Sequence, residues 1–177
     1  MMIKDTREEY GAVSRVLHWS MALAFFLLIA LGWWMVGLDY YSPYYKSAPD
    51  LHRSVGLLVL VALGVRIAWR LINVKPVGDD LSPVERTASR VVHLGFYPLL
   101  IVLLVSGYLI STADGRAIDV YGWFSVPAVV AAPGLEDAAG LVHQWSAYAV
   151  MALAVVHSAA ALKHRYWDVT HGRHRMW

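Results

Sequence analysis

Apolar positions along the chain gather into four long runs. Val16 to Val36 is a 21-residue run with no charged side chain. At about 1.5 Å per residue it is about 31 Å long, the depth of a bilayer core. A second run, Val55 to Val74, is interrupted only near its end, by Arg66 and Arg70. The third spans Val91 to Ile110 and the fourth about Leu141 to Leu162. The pattern predicts an all-α integral membrane protein, a four-helix transmembrane bundle that forms one domain over residues 1–177. Helices are expected at about 14–37, 52–74, 83–111 and 140–165, with outer loops at 39–51 and 112–139. An inner loop is expected at 75–82 and a basic tail at 166–177. The first run is too long for the apolar part of a signal peptide, lacks a clear cleavage site and is followed by three more spans.

Local signals refine this outline. Ser82-Pro83-Val84-Glu85 reads as a capping box with proline at the first helical position, so the third helix starts ahead of its apolar run. Pro98 is expected to kink that helix, because it removes one hydrogen bond and crowds the preceding turn. The short outer loop is rich in tyrosine (Tyr40, Tyr41, Tyr44 and Tyr45). The long one, from Ser111 to Gly140, can fold over the mouth of the bundle.

Charge then orients the bundle. Charged residues make up 16% of the chain and hydrophobic ones 58%, against about 25% charged in an ordinary soluble domain. This excludes a soluble enzyme and a disordered chain. The net charge of +2 is too small to suggest nucleic acid. Twelve of the 15 Lys and Arg fall in the N-terminal tail, the segment between helices two and three, and the C-terminal tail, counting helix ends. The positive-inside rule puts that side, and both termini, in the cytoplasm. Trp19, Trp69 and Trp167 then lie at the inner boundary, and Trp33, Trp34 and Trp145 at the outer one, as an aromatic belt.

Candidate chemistry rests on histidine. With no cysteine, the chain has no disulfides, thiolate metal sites, iron–sulfur clusters or thioether-linked haem. Five of its eight histidines fall within or at the ends of the spans: His18, His52, His93, His143 and His157. Ionisable groups at that depth are costly and default to a functional reading. His143 and His157 are 14 residues apart, close to four turns, so they share a helix face about 21 Å apart. Ala147, Val150 and Ala154 lie between them on that face and leave room for a large flat group, although small residues also serve ordinary helix packing.

Depth pairs His18 with His157 near the inner face and His52 with His143 near the outer face. Two imidazoles facing each other suit a low-spin haem iron. Zinc would need four ligands at one point, and a di-iron site would need Glu-x-x-His pairs. His93 and His164 rival the inner pair at similar depth or on the same face, while His171 and His174 read as solvated tail residues. Gly56, one turn after His52, would let a porphyrin approach the backbone. Arg66 and Arg70 reach the inner depth and are candidates for haem propionates, with snorkelling toward lipid phosphate as the alternative.

These segments resemble the bacterial cytochrome b561 family. The resemblance runs through Leu17-His18-Trp19, Leu51-His52-Arg53-Ser54-Val55-Gly56, Val65-Arg66 to Arg70 and His93-Leu94-Gly95-Phe96-Tyr97. It continues through Gly115-Arg116 and through His143 to His157, followed by Ala159 to His164. It implies a four-helix bundle with two b haems and electron exchange with ubiquinone or another quinone. Its ligands fall on helices one, two and four, which correspond to His18, His52, His143 and His157 and make His93 a neighbour.

Three functions compete at this point. The first is a di-haem electron conduit with the two irons about 21 Å apart along the membrane normal. The second, also implied by the resemblance, is superoxide oxidation at the periplasmic face coupled to ubiquinone. Lys46, Arg53 and Arg116 would form its outer anion or quinone site. The outer segments carry three basic against six acidic residues, which does not favour anion steering. The third is a cytochrome or anchor subunit for a dehydrogenase or periplasmic redox protein, docked through the outer loops. A transporter is disfavoured, because no pair of broken helices occupies matching halves.

Overall fold

The computed structural model describes residues 2–76 and 82–166. Four long helices account for most of it: α1 (Ala12–Met35), α2 (Ser47–Ile72), α3 (Pro83–Thr112) and α4 (Leu135–Tyr166). All four are long and apolar enough to cross a membrane. A two-stranded antiparallel hairpin, β1 (Ile118–Val120) and β2 (Phe124–Val126), lies between α3 and α4.

Each helix start has a local cause. α1 has no side-chain cap of its own; the segment before it folds back instead. The buried Asp5 carboxylate accepts from the Gly11 amide at 2.7 Å and the Ser14 hydroxyl at 2.8 Å, and the Ala12 amide donates to the Met2 carbonyl. These bonds satisfy donors that a helix N-terminus otherwise leaves open. Only glycine fits at position 11, where a Cβ would lie 2.5 Å from the backbone of Ile3 and Lys4. α2 starts at Ser47, five residues before the apolar pattern suggests. Pro49 is tolerated in its first turn and Asp50 suits the positive end of the helix dipole. α3 forms the capping box of Ser82 and Glu85 and continues unbroken past Pro98. α4 starts at Leu135 rather than near 140, directly after Gly134 (φ +78°), with Glu136 and Asp137 at its dipole end.

The bundle is apolar outside as well as inside. Met21, Val59 and Leu63 form a buried cluster between α1 and α2, extended by Tyr97, Leu100 and Leu104 of α3. Small polar side chains (Ser54, Ser106, Thr112 and Ser146) are buried, while Leu23, Leu27, Val61, Leu94 and Val155 are exposed. This arrangement is expected when the solvent around the spans is lipid. The tail after residue 166, with Trp167, His171 and His174, and most of the inner loop lie outside the described residues.

Candidate haem sites

Helix pairing brings four histidines together two by two. His18 of α1 and His157 of α4 have ring centres 6.2 Å apart with planes at 73°. His52 of α2 and His143 of α4 have ring centres 6.3 Å apart at 74°. One geometry is thus built twice on α4, with α1 at one end of the bundle and α2 at the other, the ends that the distribution of Lys and Arg would make inner and outer.

That geometry fits a metal ion held between two imidazoles. Metal–imidazole bonds of about 2.0–2.1 Å on each side set ring centres about 6.3 Å apart. Among the described residues no group of three or more His, Cys, Asp or Glu is placed to hold a metal by itself. A pair of opposed imidazoles suits an iron whose other four ligands come from a macrocycle.

Neighbouring atoms prepare the outer pair. His143 Nδ1 donates to the Leu103 carbonyl at 2.8 Å, and Ser106 Oγ lies 3.5 Å from the same nitrogen. A carbonyl can only accept, so Nδ1 carries the proton and Nε2 keeps its lone pair for a metal. His52 Nδ1 is buried without a hydrogen-bond partner among the described residues. Glycines cradle both rings. A Cβ at Gly107 of α3 would lie 2.9 Å from His143 Cε1, and one at Gly32 of α1 would lie 3.3 Å from His52 Cε1. Sequence reasoning missed both glycines; the available signal was a glycine near the outer end of each span. At Gly56 a Cβ would meet no atom within 4 Å, so that backbone borders open space.

The inner pair has different company. Arg66 Nη2 lies 3.1 Å from His18 Nδ1, close enough to set the charge around that ring. His93 and Phe96 of α3 flank the His157 ring at 5.1 and 5.6 Å between centres, and Trp19 stands edge-on to His18 at 5.3 Å. His93 Nδ1 donates to the Ser89 carbonyl at 2.7 Å, which fixes its ring beside His157. Arg70 lies over the Tyr10 ring at 6.0 Å, and neighbouring Trp69 donates to Ser14 at 3.0 Å. His164 occupies the last turn of α4, two turns beyond His157.

The outer cations do not share one site in this way. Arg53 bridges to Asp50, three residues earlier on its own helix, and donates to the Pro49 carbonyl. Arg116 is exposed and bridges to Asp114 at 2.5 Å. The Arg116 amide, and then its side chain, hold the Asp114 carboxyl below its ordinary range. Lys46 stands at the N-cap of α2. Each arginine of this trio already has a carboxylate of its own.

Two comparisons with known proteins bear on the family of this chain. The sequence profile described as prokaryotic cytochrome b561 matches residues 9–177. Cytochrome b561 homolog 2 of Escherichia coli (strain K12) is 45% identical over 170 residues, covering 95% of this chain and 90% of that protein.

Proposed function

This chain belongs to the prokaryotic cytochrome b561 family, and on that premise we propose that it is a di-haem electron carrier exchanging electrons with membrane quinone. Family membership and four membrane-length helices make it a multi-pass electron-transfer cytochrome of the inner membrane that binds haem b. The observation that carries the finer reading is the repeated histidine pair, at 6.2 and 6.3 Å, at the two ends of the bundle.

His18 and His157 would hold the inner haem, and His52 and His143 the outer one. Each histidine pair would hold its haem from both sides, and the group would supply a reversible one-electron couple that suits electron transfer rather than oxygen binding. The chain's own residues set the environment. Leu103 fixes the tautomer and orientation of His143 through its carbonyl. Gly32 and Gly107 let helix backbones approach the outer rings. At the inner end Arg66 places a fixed positive charge on His18 and is a candidate partner for a propionate. His143 and His157 are 14 residues apart, so the pairs are separated by about 21 Å along the membrane normal.

A quinone is the partner that an electron carrier buried in lipid encounters by lateral diffusion. The excess of Lys and Arg in the two tails and in the segment between α2 and α3 supports cytoplasmic termini. Superoxide as donor draws no support from the outer cations, whose two arginines are each engaged with a carboxylate. The proposal is tested by mixing the protein, reconstituted in phospholipid vesicles, with a short-chain ubiquinol under anaerobic conditions. Rapid appearance of reduced b-type bands is expected. A protein that stays oxidised with ubiquinol and with menaquinol analogues contradicts it.

A further inference from the structure

We propose that the outer hairpin and the strand of chain after it lie in the headgroup layer of the bilayer, with Tyr121, Trp123, Phe124 and Val129 in contact with lipid. The argument begins with sequence. From Val120 to Leu135 there are 16 residues without a charged side chain, bounded by Asp119 and Glu136. A loop bathed in water seldom has this composition.

Its side chains are also displayed rather than buried. Trp123 is 75% exposed and Val129 81%, with Tyr121, Phe124 and Val130 exposed beside them. The turn that presents them is strained. Tyr121 (φ +53°) and Gly122 (φ +72°) are both left-handed, as a type I′ turn requires, which glycine accepts freely and tyrosine does not. The Asp119 carboxylate holds the turn by accepting from the Gly122 amide at 2.9 Å.

The segment is fastened to the bundle at a definite depth. Ser54 of α2 donates to the Asp119 carbonyl at 3.2 Å, and Ile118 and Val120 are buried. Tyr108 of α3 donates to the Pro127 carbonyl at 2.7 Å and accepts from the Val129 amide at 2.8 Å. Ser54 lies seven residues into α2, about 10 Å below its outer end. Arg53 is the last charge on that helix before Arg66, so Ser54 marks the level at which the hydrocarbon begins. An element tied there, with uncharged aromatic side chains facing away from the bundle, is continuous with the lipid-facing surface of the spans. Trp and Tyr suit that layer because their rings enter the apolar side while N–H and O–H groups reach polar headgroups.

The absence of native cysteine allows clean labelling. Trp123→Cys and Val129→Cys, each carrying a nitroxide, are examined in the full chain in phospholipid vesicles by power-saturation electron paramagnetic resonance. Oxygen and a water-soluble nickel chelate serve as relaxants. Leu23→Cys on the outward face of α1 provides the lipid reference and Glu136→Cys the aqueous one. The ratio of oxygen to chelate collision at 123 and 129 is expected to fall between those of the two references. A ratio equal to that at 136 would put the loop in water, and shielding from both relaxants would put it under protein; either overturns the proposal. Trp123→Phe, which keeps an aromatic ring, provides a second test. The fluorescence difference between the native and variant proteins should be quenched by lipids brominated near the headgroup end of their chains. Quenching by aqueous iodide alone overturns the proposal.

Discussion

Replacing Gly107 with alanine probes the outer histidine pair directly. The added Cβ would stand 2.9 Å from His143 Cε1 and 3.1 Å from Nδ1, where ordinary contact is 3.4 Å or more. The ring must therefore retreat by about 0.5 Å, a typical overpacking displacement. It is not free to do so, because Nδ1 is tied to Leu103 at 2.8 Å, and any shift changes the 6.3 Å separation from the His52 ring. Overpacking of this kind costs about 1–3 kcal/mol, which is about 5- to 150-fold in affinity at the outer centre. Alanine in a helix interior gains up to about 1 kcal/mol over glycine, so global melting masks the effect and a local readout is required. The assay is haem titration of the variant, followed by low-temperature reduced-minus-oxidised spectra that distinguish two b centres. Gly107→Ala should lose the outer centre selectively at limiting haem. Gly32→Ala should do so more mildly, since its Cβ would sit 3.3 Å from His52 Cε1, and Gly56→Ala should be silent, having open space around it. Unchanged outer affinity in Gly107→Ala, or an inverted order among the three, would refute the reasoning.

Three further outcomes are expected. Arg66→Leu removes a cation held 3.1 Å from His18 and should lower the inner centre's midpoint potential. A charge interaction of about 1–2 kcal/mol corresponds to about 40–90 mV for one electron, and a potentiometric titration showing no shift or a rise would contradict this. Tyr108→Phe deletes the hydroxyl that joins Pro127 and Val129, and should loosen the outer loop by about 1–2 kcal/mol. Hydrogen exchange of the 127–134 amides measures this, and unchanged protection would show that the hydroxyl holds nothing. Ser14→Ala breaks the link from Asp5 through Ser14 to Trp69, with an expected cost of about 1–3 kcal/mol because the Asp5 carboxylate is buried. Faster exchange across residues 2–11 is the signature, and an unaltered profile would count against the fold-back as a stabilising clasp.

The four spans are legible because an apolar run of about 20 residues has few other uses. The capping box at Ser82 is legible because both partners are local in sequence. Depth counting along helices also puts His18 level with His157 and His52 level with His143, and the folded chain brings these rings together. Contacts that depend on rotation about the helix axis are not legible this way. Level alone gives Arg66 access to the inner end, but its contact with His18 depends on which faces of α1 and α2 meet. The roles of Gly32 and Gly107 are hidden for the same reason, since each is defined by a ring from another helix. The hairpin escapes notice because Tyr121-Gly122 is a weak turn signal beside Asn-Gly or Asp-Gly. The early starts of α2 and α4 are set by Pro49, Asp50, Glu136 and Asp137, polar or helix-initial residues that an apolar count passes over.

The central claim is that each histidine pair holds one haem. Its most direct measurement is the haem-to-protein ratio of the purified chain, by pyridine haemochrome against amino-acid analysis, with His52→Ala and His18→Ala beside it. The account predicts two b haems per native chain and one in each variant, with the inner centre surviving in His52→Ala and the outer in His18→Ala. A single haem in the native protein, or two in either variant, would contradict it.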